Sequence, residues 1–134
     1  MNNLPALSAR LKQYSAILQY DSRLYRILSR SAPDEKSMNK AQEFASQCGN
    51  TADALYDIYR SMTRDNSLLQ PPSVHETGSF RSVLRSRLSH ELSLEADFRR
   101  EYLSISDNLK LKRLFFNASH SAMSRAVGIL DLLL

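Results

Sequence analysis

Glycine and proline are scarce, at three and four in 134 residues. They punctuate the chain instead of spreading through it, so the stretches between them are free to run as long helices. A single cysteine, Cys48, excludes an internal disulfide. The opening MNNLPALSARLKQY has neither the basic nor the apolar segment of a secretory leader. These two features together lead to the expectation of a reducing, cytoplasmic setting. No stretch approaches the roughly 20 uninterrupted apolar residues of a membrane-spanning helix, so no membrane association is expected.

Enzyme signatures are missing as well. The chain carries no glycine-rich phosphate loop, no Gly-x-Ser-x-Gly elbow, no Cys-x-x-Cys and no Glu-x-x-His. The segment HELSL, starting at His90, lacks the second histidine of a zinc-protease helix. What is present is ordinary globular composition, 43% hydrophobic and 24% charged, which excludes disorder as the overall state. The length suits one domain spanning 1–134. The net charge of +4 is a mild excess. Arg81, Arg85 and Arg87 cluster as the one candidate phosphate-facing strip, but Glu91, Glu95 and Glu101 interrupt it, so a basic nucleic-acid-binding module is the least favoured reading.

Apolar residues recur every three or four positions, the period of a helix with one buried face. Leu7, Leu11, Tyr14, Leu18, Tyr25 and Leu28 draw the first stripe. Met38, Ala41, Phe44, Ala45, Cys48, Ala52, Leu55, Ile58, Tyr59 and Met62 draw the second, with Gly49 a tolerated weak spot. Phe80, Leu84, Leu88, Phe98, Tyr102 and Ile105 mark the third. The expected helices cover about 7–30, 35–64, 80–104 and 108–132, with Pro33 closing the first turn and Asp107 the expected N-cap of helix four.

Residues 66–79, with Pro71-Pro72 and Gly78, form the one long connection. Fourteen extended residues reach about 46 Å, more than the roughly 39 Å of a 26-residue helix. Such a connection can travel the full bundle. The sequence therefore predicts an all-α, ferritin-like four-helix bundle of two antiparallel helical hairpins joined by a long crossover.

The stretch YRILSRSAPDEKSMNKAQEFASQCGNTADALYDIY, from Tyr25 to Tyr59, resembles the first hairpin of rubrerythrin-like members of the ferritin-like superfamily. There a tyrosine-bearing helix leads to a phenylalanine, a Glu-x-x-His pair and then Ala-x-x-Leu. Phe44 with Ala52, Leu55 and Ile58 sets a register in which Cys48 stands at the glutamate position and Thr51 at the histidine position. In the second half, Glu95 and Tyr102 keep the family's Glu-to-Tyr spacing, while Phe115, Ala126 and Ile129 set a register with Ser119 and Ala122 at the second ligand pair. Leu18 replaces the glutamate of helix one. The resemblance implies a carboxylate-bridged di-iron scaffold from which only Glu95 survives among the six ligand positions, so no cofactor and no metal are expected.

Charged residues on the apolar stripes are the informative anomalies. Asp21 lies between Leu18 and Tyr25, and Glu91 and Glu95 lie between Leu88 and Phe98. An unpartnered buried carboxylate is costly, and the preferred reading is that Tyr14, Tyr25, Tyr102 or an arginine such as Arg87 binds these groups inside the bundle. The alternative is an atypical site for iron or another transition metal, or a small ligand, built from Asp21, Glu91, Glu95 and His120. Cys48 reads as an inert small hydrophobe, and His120, between Phe116 and Met123, as a packed or interface histidine. Helix four carries a second apolar row, Phe116, Met123, Val127, Leu130 and Leu134, which points to self-association as a homodimer through that helix.

Overall fold

A computed structural model describes residues 4–70, 73–75 and 78–134. Pro71, Pro72 and Glu76 lie outside the described residues. Four helices build the fold: α1 (Leu4–Ser29), α2 (Glu35–Thr63), α3 (Phe80–Ser104) and α4 (Leu109–Leu133). Helix one begins and ends slightly earlier than its periodicity predicts, and helix four runs one residue later.

Side-chain caps set the boundaries. Asp34 accepts from the Ser37 N–H at 2.8 Å and Ser79 from Ser82 at 3.1 Å, each relieving a free donor of a first helical turn. Helix four is capped by Asn108, not Asp107: the Asn108 side chain accepts from the Leu111 N–H at 3.0 Å. A cap reaches the N–H three residues on, and Asn108 is the last extended residue before the helix. Lys112 closes the α3–α4 turn by donating to the carbonyls of Tyr102 and Ile105 at 2.6 and 2.9 Å, where α3 ends with unmatched acceptors.

Small residues bring α1 and α2 together. Ser15 donates to the Ala52 carbonyl and Ser22 to the Ala45 carbonyl, each at 2.8 Å. Both steps are seven residues in opposite directions, the mark of an antiparallel pair meeting every two turns. Ala41, Ala45, Cys48 and Ala52 are all buried on that face of α2. Met38, expected on the same stripe, is 36% exposed, and Ser37 is buried at that level instead.

Contacts between the hairpins fix the topology. Glu101 meets Arg10 and Tyr14, while Glu91 meets Tyr25, so α3 runs antiparallel to α1. Arg125 reaches Gln47, and Gly128 faces the Phe44 ring, so α4 runs antiparallel to α2. Helices α2 and α3 therefore point the same way, and their connection has to return along the bundle. Its first residues, 65–69, lie over the α1–α2 groove. Asp65 accepts from Tyr59, the Ser67 carbonyl accepts from Tyr56, and Leu68 and Leu69 lie beside Gln19 and Asp53. The chain re-enters α3 next to the Ser31–Asp34 turn and the end of α4. The fold is an all-α four-helix bundle of two hairpins with one long crossover, and none of its described helices is long and apolar enough to cross a membrane.

Candidate functional site

The centre of the bundle is charged. Asp21 from α1, Glu91 from α3 and Arg125 from α4 are at most 1% exposed, and Arg87 from α3 is 5% exposed. Each carboxylate has its own guanidinium. Arg87 donates through Nη2 to Asp21 Oδ1, and Arg125 donates through Nε to Glu91 Oε2 at 2.9 Å. The second oxygen of Asp21 lies 2.6 Å from His90 Nε2, at the edge of the α1–α3 cleft. Glu91 Oε2 also accepts from the Tyr25 hydroxyl at 2.5 Å. The Arg125 Nη1 group reaches Gln47 Oε1 at 3.4 Å, and the Arg87 guanidinium lies 5.6 Å from the Tyr25 ring centre. Two carboxylates and two guanidiniums thus balance inside a medium where an uncompensated charge is costly.

Protonation follows from this packing. Burial and the Glu91 carboxylate push the Tyr25 phenol well above its usual range, so it stays a donor. Burial likewise pushes up the Cys48 thiol, against the opposing pull of Arg125. Burial disfavours the Arg125 cation, but its contact with the Glu91 carboxylate favours it and its pKa is raised. Two atoms are left without a partner among the described residues, Arg87 Nε and Glu91 Oε1.

Of the residues singled out in the sequence, Asp21 and Glu91 meet in this cluster, and Tyr25 and Arg87 are two of the partners expected for them. Glu95 and His120 do not join. Glu95 faces α4 nearer the surface, where it holds Arg99 at 3.0 Å and accepts from Ser119 at 3.0 Å. His120 is exposed and tilted against Phe116 with ring centres 4.3 Å apart, as a surface histidine at the edge of an apolar row. Tyr14 binds Glu101 instead, completing its bidentate pair with Arg10. Tyr102 packs edge-on against Phe116. Because Arg87 is buried against Asp21, it drops out of the surface strip expected with Arg81 and Arg85. Arg81 donates to the Leu133 carbonyl, and both it and Arg85 are exposed and without an ionic partner among the described residues.

The sequence reading missed Arg125 and His90. Arg125 carried a signal, since it stands three residues after Ala122 and four before Ile129, on the buried stripe of helix four. His90 carried none, because its partner is 69 residues away.

Asp21, Cys48 and Glu91 each bring one ligand atom within 4.8 Å of the others, the residues nearest to a metal centre among those described. The set does not fit a carboxylate-bridged di-iron centre. Both Asp21 oxygens are already engaged, the two guanidiniums supply the positive charge, and no histidine joins the three ligand atoms. The chain matches no family model, no curated protein and no solved structure.

Proposed function

We propose that this chain is a metal-free, ferritin-like bundle acting as a structural or interaction protein, through self-association as a homodimer along α4. One observation carries the reading. Phe116, Met123, Val127 and Leu130 form a row on α4 with 42–58% of each residue exposed, although the opposite face of the same helix fills the core. The long crossover between parallel α2 and α3 supports the ferritin-like part, and the paired charges support the metal-free part. With Cys48 buried and the only cysteine, the reducing cytoplasm is the setting proposed for it.

The test is solution mass by sedimentation. A species of twice the chain's 15.3 kDa is expected, with Val127→Glu returning it to one chain. A single-chain mass for the natural sequence throughout the micromolar range removes the association reading.

A second reading rests on the Asp21, Cys48 and Glu91 cluster and on the unpartnered Glu91 Oε1: a mononuclear site for iron or another transition metal, serving redox or storage chemistry. Elemental analysis near one metal per chain, abolished by Glu91→Gln, replaces the metal-free reading with this one.

A further inference from the structure

The apolar row of α4 is not isolated. Facing contacts between α3 and α4 set their levels: Tyr102 against Phe116, Glu95 against Ser119, and Glu91 against Arg125. Leu92, one residue beyond Glu91, therefore stands level with Met123, and it too is exposed, at 44%. Leu92 thus extends the apolar surface onto α3 at this level.

Charge is distributed unevenly along the row. Lys110 and Arg113 stand at its beginning and Asp131 at its end, all three exposed. Arg113 has no ionic partner among the described residues. Asp131 holds Lys36 at 3.2 Å, with more than half of both side chains still in solvent, so its carboxylate remains open to a second cation.

We propose that the occupant of this face is a second copy of the chain, packed with the two α4 helices antiparallel about a two-fold axis at Met123. The proposal rests on the association reading above and adds its geometry. A two-fold contact must be self-complementary. With the axis at Met123, residue numbers facing each other sum to about 246, so Phe116 of one copy meets Leu130 of the other and Met123 meets its own counterpart. Arg113 then comes within one turn of the second copy's Asp131, twice per dimer. Leu92 and Met123 form a dry centre with this charged rim outside it. A parallel pairing instead sets Arg113 against Arg113 and aligns the helix dipoles unfavourably.

Two independent experiments decide it. Met123→Cys, with the natural Cys48 left in its buried place, is expected to form a disulfide-linked dimer under mild oxidation, whereas Phe116→Cys alone is not. Phe116→Cys mixed with Leu130→Cys is expected to cross-link. Arg113→Asp is expected to weaken the dimer about tenfold, and adding Asp131→Arg to restore it. A dimer that cross-links through Phe116→Cys alone overturns the antiparallel register while leaving association intact. So does one that fails to link through Met123→Cys and ignores the charge exchange. A chain that is monomeric throughout overturns the association reading itself.

Discussion

Arg125 Nε donates to Glu91 Oε2 at 2.9 Å across the α3–α4 hairpin, with neither residue more than 1% exposed. Such a pair holds the bundle in one arrangement more than it adds stability, because both charges have been taken out of water. The cost shows when one partner is removed. Arg125→Ala is expected to lose about 3–5 kcal/mol in urea unfolding, since it strands the Glu91 carboxylate. Arg125→Met with Glu91→Gln is expected to recover most of that loss. A loss under about 1 kcal/mol for the single variant contradicts a desolvated pair.

Helices α2 and α4 meet where Gly128 faces Phe44. A Cβ at Gly128 would lie 2.8 Å from Phe44 Cζ, and that ring is itself held edge-on against Tyr25 at 5.4 Å. Gly128→Ala gains up to about 1 kcal/mol of helix propensity. It also forces an overpacked contact of about 1–3 kcal/mol, so a net destabilisation is expected. At Gly49 the corresponding Cβ meets only Ser22, with Oγ at 3.1 Å and Cβ at 3.8 Å. Gly49→Ala is expected to be closer to neutral, and thermal unfolding of the two variants compares them directly.

Asp65 anchors the start of the crossover. The hydroxyl and N–H of Ser67 and the Tyr59 hydroxyl hold its carboxyl down to about 2. Because the folded value lies below the usual carboxylate value of about 3.9, this contribution to stability is complete above that pH. It fades as pH falls toward 2. Titration of the Asp65 carboxyl by NMR is expected to show the low midpoint. The stability difference between the natural chain and Asp65→Asn is expected to shrink from pH 4 to pH 2, and a midpoint near 3.9 shows that these bonds do not form in solution.

Much of the architecture was legible in the residues. The stripe through Ala41, Phe44, Ala45, Cys48, Ala52 and Leu55 is buried as its period predicts, and Phe80 opens α3 as expected. The second row of α4 was also readable, and it is exposed. The Asp107 cap failed because either of two adjacent polar residues satisfies the local rule, and only the path of the turn selects Asn108. The charged site was half readable: Asp21 and Glu91 announced themselves by interrupting apolar stripes, whereas Arg125 was not singled out.

Periodicity and punctuation by themselves determined four helices, their order, the buried face of each and a crossover long enough to traverse the bundle. Those properties follow from side-chain spacing along a chain of fixed rise, which needs no distant partner. Tertiary packing decided which carboxylates became the core. Glu91 and Glu95 differ by one turn and about 40° around α3, so local rules treat them alike. Tyr25 arriving from α1 and Arg125 from α4 meet Glu91, and Glu95 is left at the edge with Ser119 and Arg99.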